Sequence, residues 1–592
     1  MVDLILGEDA DEADWRALVE RGLKGASWSR LEDETADGVA IAPLYREPDV
    51  HTATDVSGFP GTAPFIRGAR EGDWDVRQSF AHPNPARLNQ DILADLAGGV
   101  TGIELAAKSI ASARDLDQAL ADVILEAAPV SLDGPSLQQA EWLETKLKGV
   151  AAAGTAFNLD LLGAPEPRHV AHFTARVRET LPAATALRAD ARPAHEAGAS
   201  EAQEIAIALA AGIAALRALD DSGLTPAGAN GTLSFAIAAG SDAMIEAAKL
   251  RALRLCWARV MEASGAAPEA RAARIHAFTG HRMLTRYDAW TNILRITTAA
   301  FGAGVGGADA ITTANFTDAL GLPTPFARRV ARNTQIVLLE ECRLGHVADP
   351  SGGAWFVEHM TRALAEKAWS LMQEVESLGG LAAALKLGFV QGKIAEARAR
   401  RERLIATRRE TITGVTDYPL LDARIPDFEP PTDTPNAPAQ GLTPIRWAAP
   451  FEALRDCAEA VSPRPAVFFA TLGPLADFGP RAQFARNLFA AGGVNSVGEE
   501  AAFTSRDAMI DAFRASQQRV AVICGADDAY AREGENTAQR LKAAGADWVI
   551  LAGKPGDTEG ALRTAGVDQF VFPGTNALKE LETVHAALRL KA

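Results

Sequence analysis

Seven prolines fall within 25 residues in PDFEPPTDTPNAPAQGLTPIRWAAP, residues 426–450. Proline fixes φ near −65° and lacks an N–H, so this stretch can continue neither a helix nor a central strand. It predicts an extended, semi-rigid connector between a large N-terminal part and about 130 C-terminal residues. At 592 residues the chain exceeds what one hydrophobic core organises, so division into several units is expected.

The C-terminal part alternates regularly. Strand-like runs occur at PAVFFATL (465–472), VNSVG (494–498), RVAVICGA (519–526), DWVILAG (547–553) and DQFVFPG (568–574), with amphipathic stretches between them. Five β/α units predict a doubly wound, flavodoxin-like parallel sheet. Before the linker, the apolar runs GVTGIELAA, PVSLDG, ATALRAD, GTLSFAIA, RIHAFTG and GADAITTAN alternate with long Ala/Leu/Arg stretches. That alternation, sustained over more than 300 residues, predicts an α/β fold with a (β/α)8 TIM barrel carrying insertions. The expected division is an N-terminal arm over 1–45, a barrel over 46–425, a linker over 426–462 and a flavodoxin-like domain over 463–592.

Charge and composition exclude several function classes. The hydrophobic content of 48% with 23% charged residues is that of a globular protein. A formal charge of −17 repels phosphate backbones and anionic lipid, arguing against nucleic-acid and membrane partners. The most apolar stretch, AIALAAGIAALRALDD (206–221), is interrupted by Arg217 and reads as a buried helix. The opening MVDLILGEDADEADW is acidic and has no basic n-region, so neither a secretory signal nor a transit peptide is expected. Cys256, Cys342, Cys457 and Cys524 form no CxxC pair, which argues against a disulfide framework or structural zinc and fits a reducing cytoplasm.

Local motifs carry little chemistry. GAGVGGADA (302–310) lacks the Lys-Ser/Thr of a P-loop and the GxGxxG register, and reads as a tight turn packed near the barrel. No carboxylate pair or Ser/His/Asp grouping follows from spacing. Nine histidines precede the linker, and only His585 follows it, inside the last helix, far from the strand ends where a metal would be held. His276 and His281 flank a turn after an apolar run, where barrel site residues sit, so a ligand contact and ordinary polar packing both remain open for them.

One stretch is specific. Residues 287–369 contain TNILR, GG, TAN, ALGLPT, ARNTQ, EE and DPSGGAWFVE in order, and GFPGTAPFIRG occupies 58–68. These resemble the adenosylcobalamin-dependent methylmalonyl-CoA mutases, whose NNxxR, ALGLPT, ARNTQ, DPxxGxxxVE and PGxxPFxRG elements follow similar spacing. The resemblance implies a barrel that encloses an acyl-CoA and a C-terminal domain that carries cobalamin, the cofactor supplying the radical chemistry. In such enzymes a histidine from a DxHxxG loop after the first C-terminal strand coordinates cobalt.

Set on that loop, LGPLADFGPRA puts Leu475 at the Asp position, Asp477 at the His position and Pro480 at the Gly position. A carboxylate offers no neutral nitrogen, and proline cannot take the role of a permissive glycine. ICGADD (523–528) and LAGKPGD (551–557) also depart from the small-residue loops of the family, whereas FPGTN (572–576) conforms. In the barrel, only AREGD (69–73) separates Gly68 from Trp74, too short for the segment that carries the family's substrate-side tyrosine. Arg192 and Pro193 stand where the family has a Tyr-His pair ahead of Glu196-Ala197-Gly198-Ala199, and a substrate-binding arginine falls near Asn158.

These losses resemble the small, non-catalytic β subunit of the heterodimeric bacterial enzymes. The resemblance then implies no catalytic residue, cofactor ligand or metal in this chain, adenosylcobalamin held by a large catalytic partner subunit, and an arm that wraps this partner. Two alternatives are an active acyl-CoA mutase with altered cobalamin ligation and a regulatory CoA-binding module.

Overall fold

A computed structural model describes residues 11–46, 57–70, 72–151, 153–431, 441–498 and 502–590. Residues 1–10 of the arm, His51, Glu71 of AREGD and linker residues 432–440 lie outside the described residues.

Eight parallel strands close into a barrel: β1 (Asp75–Phe80), β2 (Gly102–Ala106), β3 (Val130–Asp133), β4 (Ala156–Leu159), β5 (Thr185–Asp190), β6 (Leu233–Ala239), β7 (Ile275–Thr279) and β8 (Ala310–Thr312). β8 pairs with β1, Ile311 opposite Val76, which closes the ring. The second unit is a five-stranded parallel sheet of β9 (Ala466–Thr471), β10 (Asn495–Val497), β11 (Val520–Cys524), β12 (Trp548–Ala552) and β13 (Gln569–Val571), in the order β10-β9-β11-β12-β13. The expected fold class holds, and all five C-terminal strands lie inside the runs read from the sequence. VAVIC and WVILA are apolar on both faces because helices cover both sides of the sheet.

The arm contributes α1 (Glu12–Leu23), capped by Asp11, and a short hairpin pairing Asp33–Glu34 with Ala40–Ile41. No residue of α1 is buried, and Leu18 is 61% exposed. The arm is tied to the barrel by Asp37, whose carboxylate accepts from Ser200 Oγ (2.5 Å) and the Ala202 backbone N–H (3.0 Å) at the start of α3 (Glu201–Asp220). This helix is the apolar stretch noted in the sequence. Its Ile205, Ala206, Ala208 and Leu209 are buried against the barrel.

The glycines of 302–310 do more than turn the chain. Gly302 and Gly304 lie inside α5 (Asn292–Val305), where a Cβ would stand 2.7 Å from the Ala243 carbonyl and 2.9 Å from the Trp74 ring. The bare Gly302 lets α5 pack closely on α4 (Ala243–Ala263), and the bare Gly304 makes room for the Trp74 ring.

The proline-rich connector is extended only in part. Glu429 and Leu322, just ahead of α6 (Pro325–Ile336), exchange backbone hydrogen bonds of 2.8 and 2.9 Å, adding a bridge at the barrel rim. From Ala449 the chain turns helical as α7 (Ala449–Glu459), with Pro450 in its first turn, the helical place that best tolerates proline. Helix α7 buries Phe451 with Val467 and Phe469 of the C-terminal sheet, and meets the barrel through Arg286–Glu452 (3.2 Å) and Tyr287 Oη–Asp456 (2.8 Å).

Candidate functional site

In doubly wound sheets, ligands bind beyond the carboxyl ends of the strands, at the point where strand order reverses. Here that point lies between β9 and β11. The chain leaves β9 through Leu472, Gly473 (φ +85°) and Pro474 and enters α8 (Leu475–Ala491) at once. The sequence reads 474–480 as a loop. Instead, Leu475, Asp477 and Pro480 occupy the first six positions of a helix. The physical reason is that Pro474, with ψ 163°, stands just outside the helix, where proline favours a start rather than a break. Pro480 lies further in and leaves the Ala476 carbonyl without its i+4 donor. Leu475, Asp477 and Pro480 are all exposed. Asp477, in the first turn, complements the positive end of the helix.

The crevice beyond the strands is filled from within. Tyr530 is 8% exposed, and its hydroxyl donates to the Ala552 carbonyl (2.7 Å) at the end of β12 and accepts from Gly525 N–H (3.0 Å) just after β11. Burial pushes its phenol well above the ordinary range. Arg481, from α8, donates to the Gly525 carbonyl (2.8 Å), pairs with Asp527 (2.5 Å) and lies 4.8 Å from the centre of the Tyr530 ring. A Cβ on Gly553 would sit 2.9 Å from that ring and 3.3 Å from Arg481, so the space its bareness leaves is already taken. His585 is buried in the last helix with Nε2 2.8 Å from the Gly492 carbonyl, and burial lowers its pKa. Tyr530 and Arg481 have no local signature in the sequence, because their roles arise from contacts between separate β/α units.

The barrel has a chamber of about 400 Å3 at the carboxyl ends of its strands, lined by Ser79, Phe80, Asp133, Arg192, Phe278 and His281 among others. Glu429 and Pro431 of the linker form part of its wall, with Glu429 paired to Arg87 at 3.1 Å. Arg192 starts the short helix α2 (Arg192–Glu196), with Pro193 in its first turn. Its guanidinium lies 4.1 Å from the centre of the Phe278 ring and pairs with Asp190 (2.5 Å) and Asp133 (2.6 Å). Burial opposes its charge, but the two carboxylates outweigh that and hold its pKa well above the ordinary value. Burial likewise opposes the charge of Asp133, yet Arg192 and Arg188 hold this carboxyl below its usual range.

The structure separates the two histidines flagged by spacing. His281 is at the mouth, its side chain 60% exposed and 3.5 Å from Asp318. His276 points into the barrel lumen, 5% exposed. Its Nδ1 faces the Arg77 guanidinium at 3.5 Å; because arginine only donates, Nδ1 accepts and Nε2–H donates to Thr312 Oγ1 at 2.8 Å. Asn158 is also in the lumen, donating to Ser131 Oγ (2.7 Å) and the Leu132 carbonyl (2.8 Å). Among the described residues no group of three or more His, Cys, Asp or Glu side chains is placed to hold a metal ion.

A second buried cluster lies behind α2. Lys249 sits between Glu204 (2.9 Å) and Glu246 (2.5 Å), and His195 Nδ1 is 3.1 Å from Glu204. Burial raises both carboxyls, but Lys249 and His195 hold Glu204 down at about 2, whereas burial prevails at Glu246 and pushes it to about 7.

The methylmalonyl-CoA mutase family model matches residues 34–161 and 158–435. The chain is 42% identical over 606 aligned residues to the methylmalonyl-CoA mutase small subunit of Streptomyces virginiae, covering 97% of this chain and 96% of that one. It is 38% identical to the small subunit of Propionibacterium freudenreichii subsp. shermanii, covering 97% and 94%. It is 39% identical to the probable small subunit of Mycobacterium bovis, covering 94% and 92%. With this barrel, this second parallel sheet and matches that span nearly its whole length, the chain belongs to the methylmalonyl-CoA mutase family.

Proposed function

We propose that the chain is the small, non-catalytic subunit of a heterodimeric, cytoplasmic methylmalonyl-CoA mutase, the enzyme that interconverts (R)-methylmalonyl-CoA and succinyl-CoA. It stabilises a large catalytic subunit, and that subunit binds the adenosylcobalamin. The observation that carries this reading is the filled crevice of the C-terminal sheet. Arg481 reaches from α8 to the end of β11, Tyr530 covers the ends of β11 and β12, and a helix stands where a cobalt-ligating loop would have to be. These residues do not fit cobalamin. Asp477 offers no neutral nitrogen donor, and Gly525 and Gly553, at the ends of β11 and β12, face protein atoms instead of open space.

The exposed arm helix α1, with Leu18 uncovered, and the relatives named small subunits both favour a large partner. Obligate interfaces of this kind often bury more than about 2,000 Å2. The test is to purify the chain alone and together with a large mutase subunit. Mutase activity is expected only with the large subunit; activity of this chain alone, supplied with adenosylcobalamin, overturns the proposal. A second reading, a CoA-binding regulatory module, is favoured by the chamber at the barrel mouth. Saturable thioester binding without turnover would distinguish it.

A further inference from the structure

Barrels of this architecture are ordinarily packed along their axis by layers of branched aliphatic side chains. This one is not. Arg77, Glu104, Ser131, Arg188 and His276 project into its centre and are all buried. Two separate spaces lie at its two ends. The mouth chamber holds about 400 Å3, and a lower chamber of about 210 Å3, lined by Asp75, Asn158, Thr185, Ser234 and Asp309 among others, opens at the amino ends of the strands. The two share no lining residue.

What divides them is a single layer of charge. Glu104 reaches Arg188 at 2.8 Å and stands 3.9 Å from both Arg77 and His276, while Arg77 and His276 are 3.5 Å apart. Three of its four members are anchored outside the layer as well. Arg188 pairs with Asp133 (2.9 Å), Arg77 pairs with Asp75 (2.6 Å) and donates to the Gly154 carbonyl (2.9 Å), and His276 donates to Thr312. Burial, reinforced by the charges of Arg77, Arg188 and Arg192, keeps His276 neutral, so Glu104 is the one anion within the layer, set beside two cations. On the mouth side of the layer, the Phe278 ring lies 5.3 Å from the Arg188 guanidinium and 4.1 Å from that of Arg192. Swinging Glu104 or Arg188 aside would break their buried ion pair, which is costly.

We infer that Arg77, Glu104, Arg188 and His276 form a transverse septum that prevents an extended acyl-thioester arm from threading the barrel along its axis. A ligand of the mouth chamber can reach inward no further than this layer. The inference rests on the family reading for the thioester class, but its geometry does not depend on which subunit is catalytic.

The septum is tested in the full chain with Cys342→Ser and Cys457→Ser, leaving only buried native thiols, and with Ser79→Cys in the mouth and Ser234→Cys in the lower chamber. The probe is a linear bis-methanethiosulfonate whose spacer spans the barrel axis. No internal cross-link is expected, each new thiol being capped separately. Adding Glu104→Ala with Arg188→Ala removes one charge of each sign, leaves Arg77 with Asp75 and Asp133 with Arg192, and should allow the cross-link. A cross-link in the parent chain overturns the inference, as does its absence in a double variant shown to be folded. If the double variant does not fold, the parent chain decides: separate capping supports the septum and an internal cross-link overturns it. The pairing experiment with a large subunit remains the independent test of the family reading, and a leaky septum leaves its result unchanged.

Discussion

The guanidinium of Arg481 lies 4.8 Å from the ring centre of Tyr530, and together they cover the carboxyl ends of β11 and β12, on the edge where a sheet of this kind receives a ligand. Two residues from different β/α units thus convert a binding edge into an extension of the core.

Tyr530→Ala should therefore act as a core truncation. It removes a ring packed in the cluster of Leu472, Ile523 and Leu551 and leaves Gly525 N–H and the Ala552 carbonyl unpaired. A loss of about 3–5 kcal/mol is expected from urea unfolding of the C-terminal domain. A loss below about 1 kcal/mol would mean the ring is a loose cover and not part of the core.

Asp477→His supplies the missing imidazole but leaves α8 and the Tyr530–Arg481 filling in place. Cobalt uptake by this variant should equal that of the unaltered chain. Uptake by the single substitution would show that the ligand alone, and not the occupied crevice, decides cofactor binding.

Lys249→Met should be strongly destabilising, because it leaves Glu204 and Glu246 buried side by side with one cation gone. About 3–5 kcal/mol is expected in denaturant unfolding. The double variant with Glu246→Gln should recover part of that loss, and additive losses would contradict coupling through Lys249.

Glu246 also sets a pH dependence. Its folded pKa, about 7, lies above the ordinary 4.5, so the folded state holds a proton that the unfolded chain has released. The stability this contributes is complete below about pH 4.5 and is lost as pH rises through 7. At ~1.4 kcal/mol per pKa unit, a fall on the order of 1–3 kcal/mol between those limits is expected. Unfolding free energies of the chain and of Glu246→Gln across this range check it, and a parallel decline in both would assign the effect to other groups.

Asp37→Ala should free the arm by removing the acceptor for Ser200 and Ala202 at the start of α3. A loss of about 1 kcal/mol is expected for the cap. Limited proteolysis should cut the arm faster, and an unchanged cleavage rate would show that other contacts hold it.

Much of this fold is legible in the sequence. The C-terminal strands are apolar on both faces, so VAVIC and WVILA stand out from the amphipathic helices between them. Strands β1 and β4 escape the apolar pattern because the barrel axis is polar: DVRQSF carries Arg77 and Gln78, and AFNL is four residues long with Asn158 at φ +55°. The prolines of LGPLADFGP suggest a loop, yet only position within the element separates a helix-starting Pro474 from a helix-weakening Pro480. The replaced residues Leu475, Asp477 and Pro480 are visible by comparison with the family motif. The filling of the crevice by Tyr530 and Arg481 is not, since it depends on tertiary contacts that no local spacing encodes.

The most direct measurement is cobalt retention. The chain is purified alone, incubated with adenosylcobalamin, gel-filtered, and examined by visible spectrum and cobalt analysis. No retained cobalt is the predicted result, in keeping with a crevice filled by Tyr530 and Arg481. Near-stoichiometric cobalt would mean that the cofactor binds without the histidine and displaces that filling, contradicting a purely supporting role for this subunit.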